Sequence, residues 1–386
     1  MTALPVLSPG RIAASLALLL FAALAIVSGL DRMSLEAPGL GRLVPSALQA
    51  QAARTTASLA LARQQPQGVI ASARRAVAAD PVNPSSTALL GAGYLLNGQP
   101  AEAEAAFRVA ARFGWREPIT QAYWYEAALQ ASDWARAVDR ADALLRTHPG
   151  LPARDLVLEP LESTHEGRAA LIVRMAGRPT WLVHYLQPEN LVSDETVERR
   201  SLVLIELAAA GTRLGCQDVA PFVNSMLARG IRRAAERVWT GHCPGARLTG
   251  GLADGGFERF GDEAASPFGW RAMLSGDVSV RPVTNSGGGK ALQLLNRGSV
   301  SRLVLVQALS LEPGLYRLTG KSLPGRIAGS LGCDEPPGLP RLTEGDLAAG
   351  GQLLRVPACS HLELGLWVRP GVDDVELDAV VLEKVG

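Results

Sequence analysis

Few side chains in this chain are placed to do chemistry, and most of them stand alone. Glu159, Glu162, His165 and Glu166 form the one polar cluster dense enough for general acid–base work. Glycan hydrolysis needs two carboxylates about 5–10 Å apart across a cleft, and no nucleophile or metal-ligand spacing stands beside these four. A solvated helix start accounts for them. Cys216, Cys243, Cys333 and Cys359 contain no C-x-x-C pair, and His242 beside Cys243 lacks a partner pair, so zinc is not expected. Four oxidised thiols allow three pairings. Cys216–Cys243 and Cys333–Cys359 keep each bridge within one part of the chain. Each then closes a loop of about 26 residues, worth about 3 kcal/mol in the chain-entropy model; four buried free thiols are the alternative. In Leu362–Val368, alternation puts Leu362, Leu364, Leu366 and Val368 on one face and Trp367 with Glu363 on the other. A tryptophan on the polar side of a strand is a candidate stacking platform. Arg317, which alternates with Tyr316 and Leu318 in an earlier strand, can line the same face. Trp367 packed under a loop is the competing reading, and Phe268 and Trp270 read as core.

The elements that must hold these residues follow from length and pattern. A chain of 386 residues predicts two or three domains. A net charge of +1 gives no reason to expect a nucleic-acid partner. Residues 12–30 carry no charge and are flanked by Arg11 and by Asp31-Arg32. At 1.5 Å per residue that run approaches the roughly 30 Å hydrocarbon thickness of a bilayer. A cleaved signal peptide with Val27-Ser28-Gly29 as its exit is one reading; the span length favours an uncleaved anchor in residues 1–32. No cysteine follows the run, which argues against a lipoprotein. The expected location is a single-pass inner-membrane anchor with its N-terminus in the cytoplasm, the remainder facing the periplasm, where thiols oxidise.

Residues 46–150 are alanine-rich with apolar residues at helical spacing. Leu90, Gly91, Tyr94, Ala103, Phe107 and Ala110 surround a turn signal, Asn97-Gly98-Gln99-Pro100. A 34-residue step maps Ala103 onto Ala137 and Val69. Roughly residues 50–150 therefore resemble a tetratricopeptide array of about three repeats. Trp124 and Tyr125 stand where that repeat wants Leu and Gly, and Trp115 where it wants Pro. The resemblance implies a concave surface for a protein partner in the cell envelope, with Tyr94, Tyr123 and Trp124 as groove residues. A plain helical spacer, with Tyr123, Trp124, Tyr125 and Trp134 as core, is the alternative. Residues 151–245 read as a helical extension that caps the stack. Asp194 and Glu195 sit in a first turn, with further helices around Pro221-Phe222-Val223 and over 231–239; residues 243–251 read as a hinge.

From residue 252 to 386 the helical period gives way to short alternating runs separated by Gly and Pro turns, which predicts an antiparallel β-sandwich of seven or eight strands. Gly256-Phe257-Glu258, Phe268-Gly269-Trp270, Gln307 before Leu311-Glu312-Pro313-Gly314-Leu315-Tyr316-Arg317, and a closing Asp378 to Glu383 occur in an order that resembles jelly-roll carbohydrate-binding modules of the galactose-binding-like group. That resemblance implies a polysaccharide ligand, and a structural calcium held by Glu258 and Asp378. The fold class expected is thus multidomain α + β: membrane helix, α-solenoid, β-sandwich. The function expected is a non-enzymatic, membrane-tethered envelope scaffold that binds a protein and a glycan in exopolysaccharide assembly or export. A protein–protein scaffold without a sugar ligand is the alternative.

Overall fold

A computed structural model describes residues 9–147, 154–191, 193–243, 248–249, 251–261, 266–323, 325–333, 347–348, 350–358 and 362–385. The chain is a multidomain α + β protein in which helices come first and antiparallel sheets follow. It divides into two compact units, Met1–Pro160 and Leu161–Gly386.

The first unit opens with α1 (Pro9–Met33), a helix long and apolar enough to cross a membrane. Leu18, Leu20, Phe21 and Ile26 are all more than half exposed, so the helix is apolar around its circumference and buries little in the protein. Six helices follow: α2 (Gln51–Ala62), α3 (Pro66–Ala79), α4 (Pro84–Leu96), α5 (Pro100–Ala111), α6 (Pro118–Gln130) and α7 (Trp134–Thr147). Four of them start on proline, whose fixed φ and missing N–H suit the first turn. Asn83 caps α4 by accepting from Ser85 N–H, and the buried Glu117 caps α6 by accepting from Ile119 and Thr120 N–H. Each helix packs on its neighbour as antiparallel hairpins α2/α3, α4/α5 and α6/α7. Gly91 makes the second hairpin close, since a Cβ there would meet the Phe107 ring at 3.0 Å.

Asp31 ties α1 to this array. Its carboxylate is buried and accepts from Gln51 N–H at 2.8 Å and Ala52 N–H at 2.9 Å, capping α2 from 20 residues upstream. Gln49 donates to the carbonyls of Gly41 and Val44, which fastens the intervening segment.

The second unit begins near the end of α8 (Arg154–Ser163) and continues with α9 (His165–Ala176), α10 (Leu182–Tyr185), α11 (Asp194–Ala209), α12 (Cys216–Ala228) and α13 (Arg232–His242). Ser193 caps α11, with Asp194 and Glu195 in its first turn as expected. Cys216 and Cys243 form a disulfide with a Cα–Cα distance of 4.7 Å, joining the start of α12 to the end of α13. Cys333 is also disulfide-bonded, whereas Cys359 lies outside the described residues, as does most of the expected hinge. One expectation fails here. Glu162 is not a solvated helix start: its side chain is 1 % exposed and pairs with Arg200 at 3.3 Å and Arg199 at 3.5 Å. His165 and Glu166, exposed and capped by Thr164, do open α9.

The strands are β1 (Leu248–Thr249), β2 (Leu252–Ala253), β3 (Arg271–Ala272), β4 (Val278–Thr284), β5 (Lys290–Asn296), β6 (Arg302–Leu309), β7 (Gly314–Lys321), β8 (Ile327–Cys333), β9 (Leu347–Ala348), β10 (Gly351–Val356), β11 (Leu362–Val368) and β12 (Val375–Lys384). Two antiparallel sheets carry the domain, in the orders β4-β5-β12-β7-β10-β9 and β3-β6-β11-β8. Their alternating apolar residues share one core. Leu292, Leu318, Leu354 and Leu382 come from the larger sheet, and Leu305, Ile327, Leu364 and Leu366 from the smaller. Two buried amides tie elements across it. Gln352 exchanges hydrogen bonds with the Gly329 backbone in the opposite sheet, and Gln307 does so with Ala253.

Candidate functional sites

In the first unit, Tyr94, Tyr123 and Trp124 meet on one cluster built around Phe107. The Tyr123 ring stacks on Phe107 with centroids 4.1 Å apart and meets Trp124 edge-on at 5.1 Å. Tyr94 accepts a hydrogen bond from Arg74 Nη2 at 2.9 Å. Burial, then the charge of Glu104, holds the Tyr123 phenol above its ordinary pKa. All three rings are half-buried, so each packs one side into the hairpins and shows the other to solvent. Tyr125, at 2 % exposure, is core and donates its hydroxyl to Val157 O. The cluster holds no nucleophile and no base; it offers flat apolar surface with phenolic edges.

In the second unit, β11 shows the alternation expected of it. Leu362, Leu364, Leu366 and Val368 are buried, while Glu363 and Trp367 are half-buried on the other side. The Trp367 indole N–H is engaged, donating to Ser330 Oγ at 2.7 Å across the β8–β11 pair. Glu363 accepts from Arg271 Nη2 at 2.6 Å, with its side chain only 13 % exposed. Arg232 at the start of α13 donates to Leu309 O, and burial, then the Glu363 charge, governs its guanidinium. Glu363 therefore lies among arginines and does not face a cleft shared with Trp367.

Arg317 does not join them. It projects from β7 in the larger sheet, between Leu353 of β10 and Glu383 of β12, whereas Trp367 and Glu363 belong to the smaller sheet. Tyr316 and Leu318 beside it point into the common core, so Arg317 lies on that sheet's far side. Strand alternation predicts a face, and the sheet carrying that face is a separate matter.

Trp367 lines an open cleft of about 550 Å³ with Ala272, Met273, Leu274, Ser275, Ser301, Arg302 and Leu303. Ala272 ends the two-residue β3, Met273 to Ser275 form the loop after it, and Ser301 leads into β6, which supplies Arg302 and Leu303. Phe268 and Trp270 are buried, as expected.

Glu258 and Asp378 converge on one hairpin turn between β4 and β5. Glu258 Oε1 accepts from Lys290 N–H at 2.9 Å, and Asp378 Oδ2 accepts from Asn285 Nδ2 at 2.8 Å. Asp378 Oδ1 also accepts from Ala379 N–H. Both carboxylates are therefore hydrogen-bonded by protein donors, and among the described residues no group of three or more metal-ligating side chains forms. As they stand they fasten the turn. No protein-family model and no curated protein matches the chain.

Proposed function

We propose that this chain is a non-enzymatic scaffold of the cell envelope. Uncleaved α1 anchors it in the inner membrane with the N-terminus in the cytoplasm, and the helical hairpins hold a protein partner on the periplasmic side. The β-sandwich meets a polysaccharide being assembled or exported. The observation that carries this reading is the length of α1, whose apolar span Gly10–Met33 of 24 residues is enough to cross a bilayer and is longer than a leader's apolar core. Two further features support it. Pro66 and Pro100, like Pro84 and Pro118, open helices 34 residues apart, the period of tetratricopeptide hairpins. The Cys216–Cys243 disulfide suits an oxidising compartment.

A protein-only scaffold is the second reading. It is favoured by the dispersal of Trp367, Glu363 and Arg317 over two sheets and by the engaged Trp367 indole N–H. Crosslinking in intact cells, followed by detergent extraction of the full chain, tests the partner role. Tyr123→Ala together with Tyr94→Ala is expected to reduce a specific crosslinked membrane-protein partner by about tenfold, the loss of one aromatic hot spot or more. An unchanged crosslinking pattern, with the variant folded, contradicts a role for this surface.

A further inference from the structure

Resting on the glycan reading of the β-sandwich, we propose that the cleft beside Trp367 takes a carboxylated saccharide, a uronic-acid unit, in preference to a neutral sugar. The lining residues decide the chemistry. Trp367 and Leu303 supply apolar surface, and Ser275 and Ser301 supply hydroxyls. Among the described residues that line the cleft, Arg302 is the one charged side chain and none is a carboxylate. A neutral sugar hydroxyl both donates and accepts, and side-chain carboxylates are the strong partners for its donor role. Here the strong group is a guanidinium, which only donates, and a charged acceptor on the ligand matches it better than a neutral hydroxyl does. A carboxylate presents two oxygens at the spacing of that fork.

Arg302 holds a loose ion pair with Asp277 that this contact can replace. Its nearest acidic neighbour, Asp277, lies 3.7 Å away, beyond hydrogen-bonding distance, and both side chains are well exposed, at 45 % and 57 %. Such a pair in water is weak and exchanges readily for a better-aligned partner. Trp367 is fixed for stacking by its bond to the buried Ser330, so its ring orientation is set before a ligand arrives. The cleft volume lies within the range of small-ligand sites.

The test uses the full chain in detergent, titrated calorimetrically with oligogalacturonate and oligoalginate as acidic probes and with cello- and malto-oligosaccharides as neutral ones. The expected result is binding of an acidic probe that weakens with salt and falls by about tenfold or more in Arg302→Gln. Trp367→Ala is expected to weaken it as well. Arg302 is exposed, so its variant should melt as the parent does, which separates lost binding from lost folding. Neutral probes bound as tightly as acidic ones, or acidic binding indifferent to Arg302→Gln, overturns the inference and leaves the glycan reading standing. No binding of any saccharide overturns both.

Discussion

His242 shows how one buried side chain makes the second unit sensitive to pH. It is fully buried at the end of α13, with Nε2 2.8 Å from Leu204 O and Nδ1 3.3 Å from Leu214 N. Only the neutral ring suits both contacts, donating through Nε2 and accepting at Nδ1. A second proton would face the Leu214 N–H. Burial accordingly holds the His242 pKa below its ordinary value of 6.5. The folded state then binds the proton less tightly than the unfolded state. The stability His242 contributes is full above about pH 6.5 and is lost as pH falls through the folded pKa. Thermal melts of the full chain should therefore show stability dropping from pH 7 to pH 5, by at most about 1.4 kcal/mol per pH unit from this group. His242→Gln, which keeps a donor for Leu204 O, should flatten that slope; an identical slope rules His242 out as its source. Glu162 has the opposite sign. Burial raises its pKa against the lowering pull of Arg200, so its contribution is present at low pH and declines as pH rises through the folded value. Nothing in the local sequence marks this carboxylate, because Arg200 lies 38 residues away and helical spacing within 159–166 cannot report so distant a partner.

At the scale of elements, the link between α1 and α2 is the feature with the clearest consequence. Asp31 satisfies two of the four orphan N–H groups at the start of α2. Asp31→Ala should cost about 1 kcal/mol or somewhat more, the usual loss for a removed N-cap. It should also raise hydrogen exchange at Gln51 and Ala52 while sparing α6 and α7. Exchange unchanged at those two amides contradicts the cap. Helix boundaries were legible in the sequence where local signals stood at the right place, as at the Asn97 to Pro100 turn before α5 and at Asp194 and Glu195 in the first turn of α11. Strands were legible where apolar residues alternate, as in β11 and β12. Strand β8 was not, because Ile327-Ala-Gly-Ser-Leu-Gly-Cys333 is poor in β-branched and aromatic residues and rich in glycine. Its placement depends on pairing with β11, a long-range contact that no local pattern encodes. The same limit explains Arg317, since alternation fixes which side of a strand it occupies and leaves the sheet open. The α4/α5 part of the Phe107 cluster was legible because its spacing is local, whereas Tyr123 and Trp124 join it from α6; the lining of the Trp367 cleft was not legible, because it combines the end of β3 and the loop after it with the start of β6.

For the whole molecule, the apolar helix α1 and the disulfide point the same way. A helix that exposes apolar side chains all round is unsuited to water, and a bridge that closes a 27-residue separation is worth about 3 kcal/mol only where it stays oxidised. Both are accounted for if everything after α1 faces an oxidising compartment. A reporter fused after Gly386 measures this directly, with alkaline phosphatase active only outside the cytoplasm and a fluorescent protein folding only inside it. The account predicts membrane-bound phosphatase activity, no fluorescence, and a full-length band that retains residues 1–32. Fluorescence without phosphatase activity would place the units in the cytoplasm and contradict the account.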